Sequence, residues 1–386
     1  MNNTNPSETD FYDPPILHHG LGPGDLVRTR PVFTPQPVGA SGAWQIIYTS
    51  TDSRSQLIPA SGIVLIPETM AEPGSTAILL YCPSFRGLGG RCAPSQLLAT
   101  GTEPDVAGIE AALEKGWVVA IPDGRGLGVG AGPHTFLAAR ANAKLVLDLA
   151  RAVYRSANLD LDVPVAPVVA WGYADGGRVA AATGELQPWY APEVDLRGIA
   201  AGAVVTDLAA LAPAIGRGPG AGLGLAGLIG LSRAYDQLPL RHVLTDEGVL
   251  AVAEAQHLTA VELLLQYWQP LQHWCRLEDP WNDTWWRRVL ALETLAHVPV
   301  EVPLHLYHGE RDSLIPVQAG RKTLVAYRQR ATAVSWREYD ADHRATAQAA
   351  ISDVLAHLAH DITSRPASSP RSAKAVGEST ERTSHH

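Results

Sequence analysis

The sequence predicts an α/β protein, a largely parallel sheet covered by helices on both faces, with a helical insertion late in the chain. Three observations predict it. Short apolar runs, most of them ending at Gly, Pro or Asp, alternate with segments whose apolar residues recur every three or four positions. One such run, Val168 to Trp171, passes directly into a glycine-rich turn that opens a helix. From Asp207 to His297 the alternation stops, and Gly-, Leu-, Gln- and Trp-rich helical sequence replaces it.

The elements follow in order. Trp44 to Asp52 and Gly62 to Pro67, rich in Ile, Val and Tyr, predict an opening antiparallel pair. Ala77 to Tyr81, Trp117 to Ile121, Val168 to Trp171, Gly198 to Val205 and Leu304 to Tyr307 are too short for helices and predict buried parallel strands; Ser335 to Tyr339 predicts another. Asp105 to Lys115, Leu137 to Ala157 and Gly177 to Leu186 carry helical periodicity. The organisation expected is an N-terminal extension over 1–43, a core over 44–206 and 298–361, a helical cap over 207–297 and a disordered tail over 362–386. Five tryptophans of the cap, Trp268, Trp274, Trp281, Trp285 and Trp286, predict either a seam packed on the sheet or an apolar ligand wall.

Composition excludes several functions. The 386 residues suffice for a sizeable core, and a net charge of −9 without any basic stripe argues against nucleic acid and anionic membranes as partners. No run of ~18 uncharged apolar residues is present, so no transmembrane segment is expected. The polar start Met1 to Asp10 lacks a basic and apolar leader, which predicts a cytoplasmic chain as written, or a secreted one if the N-terminus has been trimmed. Three cysteines, Cys82, Cys92 and Cys275, allow one disulfide at most and lack the paired spacing of a metal site. No cofactor or metal is expected.

Gly172-Tyr173-Ala174-Asp175-Gly176-Gly177 has the strand, tight turn, helix layout of a nucleophile elbow, G-x-S-x-G, with alanine at its apex. Small residues are needed two before and two after the apex, and Gly172 and Gly176 supply them. Taking Asp175 as apex instead would crowd Tyr173, and a plain glycine-rich turn is the other alternative. Chain order then favours the elbow, because such folds place nucleophile, acid and histidine in that sequence. Asp312 follows the strand Leu304 to Tyr307, and His343 follows Ser335 to Tyr339, each in a loop at a strand's carboxyl end. Asp312 there can orient the His343 imidazole; Asp340 and Asp342 are rival acids, the second too near in sequence to reach the ring nitrogen.

These motifs, in order, resemble the secretory lipases of fungi and actinobacteria, in the α/β-hydrolase superfamily. The resemblance also rests on Phe11-Tyr12-Asp13-Pro14-Pro15, Pro23-Gly24-Asp25-Leu26-Val27-Arg28, Cys92-Ala93-Pro94-Ser95, Asp123 with Gly126-Leu127-Gly128, Leu147-Asp148 with Arg151-Ala152, Tyr190-Ala191-Pro192-Glu193 and Gly202. It implies acid and base roles for Asp312 and His343, a degenerate nucleophile position at Ala174, and a disulfide between Cys92 and Cys275. Two departures stand out: the family's Gly-Thr-Gln-Gly loop is here Ser84-Phe85-Arg86-Gly87, and its Tyr after the aspartate is Gly124. Backbone amides at Phe85 and Asp175 remain available as an oxyanion hole.

An alanine methyl cannot attack an ester carbonyl. The expected function is therefore a lipase-like scaffold that binds a small-molecule or lipid ester with negligible lipase or esterase activity. The alternative is an active ester hydrolase using His343-activated water or an unorthodox nucleophile such as Asp175 or Ser84.

Overall fold

A computed structural model of the protein describes residues 11–130, 132–155 and 166–364. Nine strands, β1 (Leu26–Pro31), β2 (Ala40–Thr51), β3 (Leu57–Pro67), β4 (Ile78–Cys82), β5 (Val118–Pro122), β6 (Val168–Tyr173), β7 (Leu196–Gly202), β8 (Leu304–Gly309) and β9 (Val334–Tyr339), form one sheet in the order β1-β2-β3-β5-β4-β6-β7-β8-β9. Pairings are antiparallel from β1 through β3 to β5 and parallel from β5 to β9. The opening antiparallel pair and the parallel strands lie where their apolar runs predict them.

Strand periodicity divides the core in two. Leu79 and Tyr81 of β4 with Val169, Trp171 and Tyr173 of β6 face one layer; Ile78, Leu80, Val168 and Ala170 face the other. Helices Ala139–Tyr154 and Asp175–Tyr190 cover the second layer, and Val106–Glu114 and Ile351–Ser364 pack on the first. With both faces covered, β4, β5 and β7 are buried along their whole length, which is why β4 and β5 read as unbroken apolar runs and β7 does so from Gly198 onward, after Arg197.

β1 is an element that the sequence reading lacks. Its Leu-Val-Arg-Thr-Arg-Pro is half-buried throughout except for an exposed Pro31, and pairing with β2 makes it a strand. Arg30 lies 4.4 Å from the Phe11 ring centroid, and Phe11 is buried beside Ile47 and Val129, so the segment from Phe11 to Pro31 packs onto the core. At the other end the last helix runs to Ser364, two residues past the expected boundary at 362; the rest of the predicted tail, 365–386, lies outside the described residues, as does the end of the segment Leu137 to Ala157.

Several residues that carry the family resemblance are struts. Asp148, fully buried, accepts from Ser50 Oγ at 2.6 Å, the Tyr190 hydroxyl at 2.7 Å and Arg151 Nη1 at 2.7 Å. Arg151 also donates to the Tyr190 carbonyl at 2.6 Å and pairs with Glu193, and Gly24 lies where a Cβ would be 2.3 Å from Arg151 Cβ. Asp123 accepts from Ser61 and Ser95 hydroxyls at 2.6 and 2.7 Å and from the Ser95 amide at 2.8 Å. Buried carboxylates need such donors, so these residue types are fixed by packing rather than by chemistry at the elbow.

The expected Cys92 to Cys275 disulfide is absent: all three cysteines are free and buried. Cys92 packs with Ala93 and Leu127, its Sγ 3.9 Å from the Leu258 carbonyl, whereas Cys275 bridges to Leu244 inside the main core cluster. The two thiols thus belong to separate packing clusters, and burial raises the pKa of each, that of Cys275 to about 12. Cys82 is desolvated in the same way.

Between β7 and β8 the chain forms helices Leu208–Ile215, Ala221–Ala234, Leu240–Val243, Asp246–Ala255, Ala260–Gln266 and Thr284–Leu292. Of the five tryptophans here, Trp274, Trp281 and Trp286 are buried in the main core cluster, and Trp268 and Trp285 are exposed.

Candidate active site

β6 ends in the tight turn, and its backbone is that of an elbow. Ala174 sits at φ 53°, ψ −115°, a conformation an L-residue holds only where its surroundings impose it. They do so here. A Cβ at Gly172 would lie 2.2 Å from the Gly176 carbonyl oxygen, and one at Gly176 would lie 2.1 Å from that of Cys82. The Ala174 amide donates to Gly202 O at 2.9 Å, and its carbonyl accepts from the Arg178 amide at 3.0 Å, starting the helix Asp175–Tyr190. Two glycines and two hydrogen bonds hold the methyl group of Ala174 at the apex of this turn.

Asp312 and His343 meet beside it. Asp312, its side chain wholly buried, accepts at Oδ1 from the Leu314 and Ile315 amides at 2.9 and 2.7 Å, and at Oδ2 from His343 Nδ1 at 2.6 Å. In the neutral ring that bond places the proton on Nδ1 and the lone pair on Nε2; Nε2 has no hydrogen-bond partner among the described residues. The Tyr173 hydroxyl donates to the His343 carbonyl at 2.7 Å, so the residue before the apex also holds the histidine loop, a link with no signal in the sequence. The rival acids are occupied elsewhere: Asp342 caps the helix His343–Ala349 by accepting from Ala345 N at 2.8 Å, and exposed Asp340 pairs with Arg311 at 3.2 Å.

Ala174 and His343 line one cavity of about 180 Å³, closed by Leu211, Ile215, Leu223 and Leu264 from the helices between β7 and β8. None of the five tryptophans lines it. Phe85 does, its ring stacked on Phe136 with centroids 4.0 Å apart. The Phe85 amide and that of Asp175, the first of its helix, have no intramolecular acceptor among the described residues. Gly124, at the position of the family's tyrosine, has φ 89°, and the His134 imidazole stands 2.6 Å from where its Cβ would be.

The unorthodox nucleophiles fare differently. Ser84 Oγ accepts from Arg86 Nη1 at 2.5 Å and lies 3.3 Å from Asp105; its neighbours are an ion cluster, in which Arg86 pairs with Glu103 and Asp105, and among the described residues no imidazole is bonded to it. Asp175 is buried, its Oδ1 without a partner among the described residues, and desolvation lifts its carboxyl to about 6 despite the Arg178 guanidinium nearby. Arg178 donates instead to the carbonyls of Val205 and Glu293.

A second array of the same residue types lies elsewhere. Ser335 Oγ is 2.8 Å from His305 Nδ1, and His305 Nε2 is 2.7 Å from Asp361 Oδ2, linking the starts of β8 and β9 to the last helix. No spacing in the sequence signals it, because the three residues come from separate elements.

The sheet order, the elbow after β6 and the loops after β8 and β9 define an α/β-hydrolase fold. Solved structures share it: Candida antarctica lipase A in its closed state matches with a TM-score of 0.81 at 20% identity, over 93% of this chain and 87% of its own. The rice cell wall degrading esterase LipA of Xanthomonas oryzae matches with 0.73 at 20% identity, over 87% of this chain and 98% of its own. Within that class the chain belongs to the secretory lipase family, which it matches over residues 92–369. Similar relatives include a lipase A of Arthroderma benhamiae, 31% identical over 60% of this chain, and a probable inactive lipase of Mycobacterium tuberculosis, 30% identical over 68%. The matched regions span 51% and 60% of those two relatives' own lengths.

Proposed function

We propose that this protein binds carboxylic esters at the elbow, acyl chain in the cavity under the cap, and hydrolyses them negligibly. The observation that carries the reading is the methyl of Ala174 at the apex of the turn, with His343 lining the same cavity. Acyl transfer begins with attack by a heteroatom on the carbonyl carbon, and here the histidine has no hydroxyl to deprotonate. Loss of the serine from a triad leaves only ~10³ to 10⁴ over water, from binding and the oxyanion hole. Apolar side chains from four cap positions suit an acyl chain, and the free Phe85 and Asp175 amides suit a carbonyl oxygen. The relative named a probable inactive lipase supports the same reading. The intact dyad favours a second reading, in which His343 activates a water held where a serine oxygen would be.

Equilibrium binding and turnover of p-nitrophenyl octanoate test the two together. Saturable binding with p-nitrophenol release no faster than in an inert control protein is the expected result. Release well above that control, lost in His343→Ala, would replace the first reading with the second. Absence of binding would overturn both.

A further inference from the structure

His343 lines two cavities. Beyond it, on the sheet face that carries Tyr81, Trp171, Tyr173 and Tyr307, lies a second one of about 580 Å³, which shares Ser84 and His343 with the cap cavity. The volume falls in the ~300 to 1,000 Å³ range of small-molecule sites. Its floor follows from strand periodicity, since inward-facing residues of β4, β6 and β8 put four aromatic side chains side by side. The Tyr307 hydroxyl accepts from Trp171 Nε1 at 2.9 Å, and the Tyr81 hydroxyl has no hydrogen-bond partner among the described residues. At the rim, Asp105 spends Oδ2 on Arg86 at 2.5 Å and has Oδ1 free of any protein donor among the described residues. Exposed Gln348 offers an amide there.

The two cavities differ in chemistry as the two halves of an ester do. One is lined by aliphatic side chains from the cap; the other presents phenol hydroxyls, a carboxylate and an amide over an aromatic floor. Two rim carboxylates, Asp105 and Asp342, against one guanidinium, Arg344, disfavour a phosphate or carboxylate head and favour a group that donates hydrogen bonds. Free acceptors beside aromatic rings suit a neutral, ring-shaped polyol, and the volume exceeds what glycerol alone would fill. We propose that the chamber beyond His343 holds the alcohol part of the bound ester and selects a sugar-sized polyhydroxylated head, making the ligand an acylated sugar. This rests on the reading above that an ester is held at the elbow with its acyl chain under the cap.

Titration calorimetry of the full chain with 6-O-octanoylglucose, 1-octanoylglycerol and methyl octanoate, all below micellar concentration, tests it. The glucose ester is expected to bind at least tenfold tighter than methyl octanoate, with the glycerol ester between them. Ala107→Trp, a substitution at a half-buried lining position, fills the chamber and should bring the glucose ester to the affinity of methyl octanoate; Tyr81→Phe should lower affinity for the glucose ester alone by about threefold. Equal binding of the glucose and methyl esters, or a preference that survives Ala107→Trp, overturns the proposal while leaving ester binding in place. A glycerol ester as tight as the glucose ester overturns the sugar-sized selection. If only the glucose ester binds, the head chamber stands and the acyl reading falls; if none binds, both fall.

Discussion

The elbow and the Ser335 array each hold different parts of what an acyl-transfer site needs. At the elbow a histidine oriented by a buried aspartate faces a cavity beside a strained turn, but the apex is a methyl. At the base of β8 and β9 a serine, a histidine and an aspartate are hydrogen-bonded in series, yet Ser335 is exposed on the edge strand and lines neither cavity. The contrast teaches that hydrogen-bonded residue types do not make a site. A site also needs a cavity, free amides and a hydroxyl pushed forward by a turn; the elbow has the cavity and, among the described residues, two free amides, and its apex is a methyl.

The sharpest way to break this comparison is to restore the missing atom. Ala174→Ser adds one oxygen at a turn already in the required conformation, and hydrolysis of p-nitrophenyl butyrate should rise at least ~10²-fold, a cautious fraction of the ~10⁶ attributed to such a serine. Ala174→Ser with His343→Ala should lose that gain. A folded single variant as inert as its parent would mean that Ser84 to Gly87 has also disabled the oxyanion hole.

Fluorophosphonate labelling compares the two regions directly. The parent should show no stoichiometric mass shift, because neither region combines an activated hydroxyl with a cavity. Ala174→Ser should be labelled at residue 174, with or without Ser335→Ala. An adduct on Ser335 in the parent would reverse the comparison, and one on Ser84 would make that residue the nucleophile.

A smaller effect concerns Asp175. Its carboxyl, lifted by burial to about 6, binds a proton more tightly in the folded than in the unfolded chain. Its contribution to stability is therefore greatest below the ordinary carboxylate range and declines as pH rises through about 6. The Asp175 carboxylate accepts from the Leu137 amide, and Asp175→Asn removes that decline while keeping an oxygen for this bond. It should match the parent in thermal unfolding at pH 4 and exceed it at pH 8 by on the order of 1 to 3 kcal/mol. A difference independent of pH would mean that the carboxyl is not desolvated.

The smallest effect is expected at the array without a cavity. Ser335→Ala removes one exposed hydrogen bond to His305 and should cost under ~1 kcal/mol in denaturant unfolding, with ester binding unchanged. Altered ligand affinity would show that the lower end of the sheet communicates with the elbow.

Much of the fold is written locally. Parallel strands buried on both faces are continuous apolar runs, and turns at Gly172 and Gly176 admit no larger side chain, so β6, the elbow and the helix after it could be read from residues alone. The same holds for the order of Ala174, Asp312 and His343, because the fold sets the order and the sequence preserves it. β1 could not be read, since its strand character comes from pairing with β2 rather than from an apolar pattern.

What tertiary structure alone decided is contact between distant side chains. Loop position points to Asp312 over Asp340 and Asp342, and the 2.6 Å bond to His343 forms because β8 and β9 lie side by side. The family-derived disulfide failed for the converse reason: a cysteine pair can be counted in a sequence, but whether the sulfurs meet depends on how the cap seats Cys275 relative to Cys92. The chamber beyond His343 and the Ser335 array are likewise products of strand order, which brings residues from three or four elements together and leaves no periodic trace in the chain. The sequence by itself determined that Ala174 carries no nucleophile; only the folded chain determined what surrounds that methyl, because enclosure, desolvation and hydrogen-bond distance are properties of packing.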